Sequence, residues 1–183
     1  YLLIRHPLVM FFGYLFTFIY GMCLYPFISN PKKYFDSLLS ILFHSLYIFL
    51  LYYFFDFNRV LLVVILPHFI SSALGAYLFY AQHNFPEAKY KNDQEWSYEF
   101  SALESSSYLK MNKVMEWITG NIGYHHIHHL NPSIPFYRLP ETMRAVKSLQ
   151  NPKTTSLRIK DIISCLKLRV WNEKLNKMSS LNE

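Results

Sequence analysis

Three uninterrupted apolar segments near the N-terminus restrict the fold of this chain more than any other feature of its sequence. They cover residues 8–28, 37–55 and 60–80, and none of them contains Asp, Glu, Lys or Arg. Each is about 20 residues long, which is the length that an α-helix needs to cross the hydrocarbon core of a bilayer. The sequence therefore predicts a membrane protein built from α-helices.

Charged residues at the ends of these segments predict their orientation. Cations collect on the cytoplasmic side of membrane helices. The cations next to the ends that we place on that side are Arg5, Lys32, Lys33, Lys89 and Lys91. Only Arg59 is left for the far side. We predict a hairpin of two spans, 37–55 and 60–80, with 8–28 re-entrant or interfacial at the inner face; three true spans are the alternative.

The remaining sequence is predicted to be aqueous. Charged residues make up 16 % of the chain and are concentrated after residue 80, whereas a soluble domain averages about 25 %. We predict an all-α protein with a membrane region at 1–80, a cytoplasmic metal-binding cap at 81–140 and a basic amphipathic tail at 141–183. The net charge of +6 indicates attraction to an anionic leaflet or an acidic partner, and we expect no binding to nucleic acid.

Four of the eight histidines lie within the pentapeptide 125–129. In a helix, His125, His128 and His129 have the i, i+3, i+4 spacing that brings side chains to one face. Asn131 and Pro132 then end the helix, because proline cannot continue it. Imidazoles gathered in this way predict a metal site, and they suit iron, zinc, copper or nickel.

Two other uses of such a cluster are less well supported by the sequence. Helical zinc hydrolase motifs place a glutamate between their histidines, and the 125–129 stretch contains none. A metal transporter would carry carboxylates inside its spans, and the three apolar segments contain none. His44 and His68 do lie within the segments, where we expect neutral imidazoles hydrogen-bonded between helices rather than ligands.

The stretch GNIGYHHIHHLNPSIPFYRLPE, residues 120–141, resembles the third histidine box of the membrane fatty acid desaturases. That box reads His-x-x-His-His. The following Ile-Pro-x-Tyr-x-Leu-Pro run is most similar to the acyl-lipid, methyl-end type of the family. Residues 80–85, YAQHNF, resemble a second segment of the same group, and the likeness is strongest over residues 75–141.

This resemblance implies a centre of two non-haem irons, held in the family by eight or nine histidines from three boxes and one further position. The ligands that it implies in this chain are His83, His125, His128 and His129. Candidates for hydrogen-bonding those ligands are Gln82, Asn121 and His126, because metal-bound histidines usually need an outer partner. No catalytic residue separate from the metal ligands is implied.

The implied reaction is the insertion of a cis double bond into a fatty acyl chain, with dioxygen as co-substrate. A ferredoxin or a cytochrome-type protein would supply electrons, because the sequence shows no nucleotide-binding, haem-attachment or iron–sulfur motif. Related diiron enzymes that hydroxylate acyl chains or oxygenate carotenoids are the first alternative. A non-catalytic membrane metal- or haem-binding protein, with His44 and His68 as haem ligands, is the second.

Two histidine boxes of the family are missing from residues 1–119. The four earlier histidines, His6, His44, His68 and His83, are spaced too widely to form His-x-x-x-His or His-x-x-His-His. The sequence also starts at Tyr1 without a methionine. We therefore expect the chain to be the C-terminal part of a desaturase, to hold about half of the iron ligands, and to be inactive alone.

Overall fold

The structure is a computed structural model that describes residues 5–181. The chain is mostly helical and divides into two compact units, the first ending at Tyr77 and the second beginning at Leu78. The prediction of a helical protein is confirmed.

Three long helices occupy the N-terminal part of the described chain. They are α1 (Pro7–Ser29), α2 (Phe35–Phe54) and α3 (Phe57–His83), and by length and composition each could cross a membrane. The ends of these helices agree with the predicted segments to within three residues. An apolar run without charges defines the part of a helix that can lie in the hydrocarbon core. The hairpin of two spans stays a prediction.

Local signals in the sequence set the starts of α1 and α3. Pro7 opens α1, and the Nδ1 atom of His6 accepts a hydrogen bond from the backbone N–H of Leu8. Asp56 caps α3, where its carboxylate accepts a bond of 2.9 Å from the N–H of Arg59. Such caps satisfy N–H groups that have no partner within the helix. Both helices also contain a π-helical segment, at Ile19–Leu24 and Leu61–Ile65.

Aromatic side chains connect the helices of the first unit. Phe12 meets Phe69 with ring centroids 5.2 Å apart, and the rings of His44 and His68 lie 4.9 Å apart. Every residue of α2 nevertheless keeps part of its surface exposed. Helices with so much exposed apolar surface fit a lipid environment rather than water.

The second unit consists of shorter helices and strands joined by turns. After the last turn of α3 it contains α4 (Tyr98–Glu104), β1 (Tyr108–Lys110), α5 (Lys113–Ile118), α6 (His125–Leu130), α7 (Leu139–Ala145), β2 (Thr154–Ser156), α8 (Ile159–Lys167), β3 (Val170–Asn172) and β4 (Lys177–Ser179). Two 3₁₀ turns, Phe136–Arg138 and Lys147–Leu149, flank α7.

The strands form two small sheets that the sequence analysis did not predict. β1 pairs in parallel with β2, and β3 pairs antiparallel with β4. Each strand has three residues, which is too short to show an alternating apolar pattern. A small core around Tyr124, Ile127, Leu139 and Leu149 packs beside the first sheet and holds α6 in place.

Hydrogen bonds from the end of α3 hold the C-terminal helix α8. The side-chain amide of Asn84 donates to the carbonyl oxygens of Cys165, at 2.8 Å, and Leu168, at 2.6 Å. The hydroxyl of Tyr80 also donates to the Leu168 carbonyl, at 2.6 Å. The last carbonyls of a helix lack partners within the helix, so these donors satisfy the end of α8 and fix it to the end of α3.

Candidate metal centre

The helix that carries the histidine cluster is short and is positioned by the turn before it. Gly120 and Asn121 both have positive φ angles, 59° and 56°, a conformation that glycine and asparagine tolerate best. Gly123 lies against β1, where its carbonyl accepts a 2.9 Å bond from the N–H of Leu109. A Cβ at Gly123 would collide with the Leu109 carbonyl oxygen. The residue types of this turn therefore fix where α6 begins.

Three imidazoles converge on one point. The Nε2 atoms of His83 and His125 lie 2.9 Å apart, those of His83 and His129 lie 3.1 Å apart, and those of His125 and His129 lie 3.0 Å apart. His83 comes from the last turn of α3, and the other two come from successive turns of α6. The structure thus brings together residues separated by more than forty positions in the sequence.

The spacing of these nitrogens suits a metal ion. Bonds from imidazole nitrogen to a metal such as zinc are about 2.0–2.1 Å long, so two ligands at right angles stand about 3.0 Å apart. The three observed separations match that value. Hydrogen bonds alone explain the triangle poorly, because each neutral imidazole has only one N–H to donate. The three residues therefore fit a cation with open positions for further ligands.

His83 has the outer partner that metal-bound histidines require. Its Nδ1 atom lies 3.2 Å from the carbonyl oxygen of Ser105. A carbonyl only accepts, so Nδ1 carries the proton and donates, which leaves the lone pair of Nε2 directed at the cluster.

The cluster strongly favours neutral imidazoles. Burial, followed by repulsion from the neighbouring histidines His83, His129, His128 and His126, lowers the pKa of His125 to about 2. The pKa of His129 is also lowered, mainly by burial. The neutral imidazole is the form that binds metal. The polypeptide therefore presents ready ligands without having to remove protons at neutral pH.

In the part of the chain that the structure describes, the cluster of metal-ligand atoms does not include His128. Its ring stacks beside that of His125 with centroids 6.0 Å apart, and its side chain is exposed. On an α-helix, residues i and i+4 point closer together than residues i and i+3 do. His125 and His129 therefore meet, while His128 faces a neighbouring direction.

The three residues predicted to hydrogen-bond the metal ligands, Gln82, Asn121 and His126, have different surroundings. His126 is buried near Leu149, its ring 6.2 Å from that of Tyr108, and burial lowers its pKa to about 4. Gln82 donates a 2.7 Å bond to the carbonyl of Ile122. Asn121 donates a 3.1 Å bond to the carbonyl of Phe136. Gln82 and Asn121 thus tie backbone segments around α6, and their assignment as direct partners of a ligand stays a prediction.

Residues that the sequence analysis missed include Ser105 and Gly123. Ser105 contributes through its backbone carbonyl, so its side chain gave no signal. Gly123 contributes by having no side chain at all. A glycine two residues before a histidine cluster was the available signal for a close backbone contact, since glycine often marks such contacts.

Two further histidines, His44 and His68, belong to the first unit. His44 and His68 meet edge to face, and the Nδ1 atom of His68 lies 2.8 Å from the carbonyl oxygen of Val64, within its own helix. Imidazoles on opposite faces of a haem need ring centroids about 6 Å apart, because each nitrogen bonds the iron at about 2 Å. The observed 4.9 Å is too short, so this pair does not fit a haem.

Comparisons with known proteins agree with the site. A family model described as "Fatty acid desaturase" matches residues 1–158. A protein of Bacillus subtilis (strain 168) named "Fatty acid desaturase" is 42 % identical over 104 residues, which cover 57 % of this chain and 29 % of that protein. The chain thus aligns with less than a third of the length of this relative.

Proposed function

The chain belongs to the fatty acid desaturase family, whose members are oxidoreductases, and on that premise we propose that it contributes half of a non-haem diiron centre to an enzyme that desaturates a fatty acyl chain. The observation that carries this proposal is the triangle of Nε2 atoms formed by His83, His125 and His129. Three apolar helices and family membership also fit a membrane protein.

We assign the three clustered histidines to one iron and His128 to the second. His128 faces a direction next to the cluster, with its ring 6.0 Å from that of His125, so it can serve a neighbouring ion. The irons, when bound, supply the reduction of dioxygen and the removal of two hydrogens from adjacent methylene carbons. With two electrons and two protons from outside, each turnover gives one double bond and two molecules of water.

Residues of this chain set the protonation state and the surroundings of the metal ligands in the absence of metal. Burial keeps His125 neutral, and the Ser105 carbonyl holds the proton of His83 on Nδ1. The ring of Phe79 meets the ring of His125 at 6.2 Å, which covers one side of that ligand with an apolar group.

The substrate, donor and orientation are parts of the same proposal. The Ile-Pro-x-Tyr-x-Leu-Pro run after the box favours the acyl-lipid type over an acyl-carrier substrate. A ferredoxin or cytochrome-type protein would deliver the electrons. The cations flanking the apolar helices favour placing the histidines on the cytoplasmic face.

Expression of the intact protein with an electron donor in a host that lacks such an enzyme tests the proposal. Gas chromatography of the host lipids should show new cis-unsaturated fatty acids. A His125→Ala variant should lose them, because a ligand of the centre is gone, whereas a His44→Ala variant, changed outside the centre, should keep them. Hydroxylated products, or an unchanged profile with the donor present, would contradict desaturation.

A further inference from the structure

A patch of large apolar side chains is exposed on the second unit. It consists of Val114, Trp117, Ile118, Phe136 and Tyr137, and we call it the aromatic patch. Trp117 is 82 % exposed, and the other four are between 59 and 66 % exposed. Scattered exposed apolar residues are normal, but a contiguous group of this size marks an interaction surface.

The turn that positions α6 also assembles this patch. Val114, Trp117 and Ile118 have the i, i+3, i+4 spacing that places them on one face of α5. The ring of Phe136 lies 3.5 Å from the position of a Cβ on Gly120, and the carbonyl of Phe136 accepts a bond from Asn121. The Gly120–Asn121 turn therefore brings the two halves of the patch together.

The patch is attached to the end of a helix that is apolar enough to cross a membrane. Gln82, in the last turn of α3, is fully buried and donates a 2.7 Å bond to the carbonyl of Ile122. Ile122 follows the Gly120–Asn121 turn directly. The chain at the end of such a helix meets the level of the lipid headgroups, and the backbone next to the patch is hydrogen-bonded to that end.

The composition of the patch and its border suits that level. Trp and Tyr are enriched at membrane–water interfaces, where the ring is buried and its polar group stays hydrated. Two exposed cations, Lys113 and Arg138, adjoin patch residues in the sequence, and Arg138 also pairs with Glu141. Cations beside an apolar face favour an anionic leaflet.

We propose that the aromatic patch docks into the boundary between headgroups and acyl chains of the bilayer. It thereby holds the start of α6, and with it His125 and His129, at a fixed depth beneath the membrane surface. A second copy of the chain or another protein as the occupant is the alternative that the experiment separates. The proposal does not depend on the reaction that the centre catalyses.

Fluorescence quenching in vesicles tests the docking directly. The chain has three tryptophans, so Trp96→Phe combined with Trp171→Phe leaves Trp117 as the only tryptophan, whose emission is excited at wavelengths that tyrosine does not absorb. In vesicles of mixed phosphatidylcholine and phosphatidylglycerol, lipids brominated near the headgroup end of the acyl chain should quench Trp117 at least twofold more than aqueous iodide does. Trp171, whose ring packs on Tyr90 at 5.2 Å, is the matched control: a variant that keeps only Trp171 should respond little to the brominated lipids.

The fluorescence of a dye attached to an introduced cysteine gives a second measurement, in which all three tryptophans stay in place. In a Cys23→Ser background, Cys165 is buried and will not react. An environment-sensitive dye at Tyr137→Cys should emit as in an apolar medium and be quenched by the brominated lipids, while the same dye at Leu175→Cys, on an exposed turn, should emit as in water.

Each outcome decides the proposal. Quenching of both patch probes by brominated lipid supports docking to the bilayer. Quenching by iodide alone would show that the patch faces water, and protection from both quenchers would show that protein covers it. Either of the last two results would overturn the proposal.

Discussion

The Nε2 atoms of His83 and His125 lie 2.9 Å apart, although one histidine ends a long apolar helix and the other begins a short helix 42 residues later. That contact joins the helix most suited to cross the membrane with the helix of the histidine box. Two imidazole nitrogens so close need a shared proton or a shared cation, and His129 at 3.0 and 3.1 Å from them favours the cation.

Acid should destabilise the metal-free protein through His126. Burial lowers its pKa from 6.5 to about 4, so the unfolded chain binds a proton at a higher pH than the folded chain does. The free energy of unfolding should therefore fall as the pH drops from 6.5 to 4, by up to about 1.4 kcal/mol per pH unit. Above pH 6.5 both states are neutral and the effect vanishes.

Unfolding by denaturant in the presence of a chelator, at pH 7 and at pH 4.5, measures this effect. A His126→Phe variant cannot take up the proton, so its loss of stability between the two pH values should be smaller than that of the parent chain by roughly 2–3 kcal/mol. Equal losses would show that His126 is not the group responsible.

The contact between Gly123 and Leu109 should tolerate no side chain. A Gly123→Ala change would push a Cβ into the Leu109 carbonyl oxygen and weaken the bond that joins β1 to the start of α6. We expect a loss of about 1–3 kcal/mol in the free energy of unfolding. Gly75→Ala is the matched control, since nothing lies within 4 Å of its added Cβ, and an equal loss there would refute the explanation.

Removal of the Asn84 amide should loosen the C-terminal helix α8. Asn84→Ala would deprive the carbonyls of Cys165 and Leu168 of a donor in a buried place, at a cost of about 1–3 kcal/mol. Hydrogen exchange of the α8 amides should quicken. Asn92→Ala, which removes an exposed turn contact to the N–H of Glu95, should leave the exchange of α8 unchanged; the same acceleration in both variants would argue against a role for Asn84.

How far the sequence predicted this structure depends on the range of the interactions. The long helices were predictable because an apolar run of about 20 residues has few other ways to fold. The histidine box was predictable from the spacing of His125 and His129 and from its likeness to a known family. The likeness to the family also implied His83 as a ligand, although the distances within the cluster depend on tertiary packing. The sequence could not show that His128 turns aside, because that depends on the rotation of a six-residue helix.

Contacts made by backbone atoms could not be predicted from the sequence either. The pairing of three-residue strands and the role of the Ser105 carbonyl depend on main-chain atoms that every residue type possesses. His44 and His68 were predicted as neutral imidazoles hydrogen-bonded between helices, whereas His68 bonds the Val64 carbonyl of its own helix and its ring meets that of His44 edge to face.

The contact between His44 and His68 should stabilise the membrane helices modestly. Polar contacts between membrane helices contribute about 0.6 kcal/mol on average and rarely exceed about 1.7 kcal/mol. A double-mutant cycle with His44→Ala and His68→Ala, followed by unfolding in mixed micelles, should give a coupling energy in that range. A coupling of zero would show that the ring contact of 4.9 Å contributes nothing.

The most direct test of the metal centre is the iron content of the purified intact protein and its variants, measured by mass spectrometry of the element. We expect bound iron in the parent protein and a loss of at least tenfold in His125→Ala. The iron should be retained in His126→Phe, which changes the adjacent residue outside the triangle of nitrogens. Full iron content in a folded His125→Ala variant would contradict the assignment of His83, His125 and His129 as one metal site.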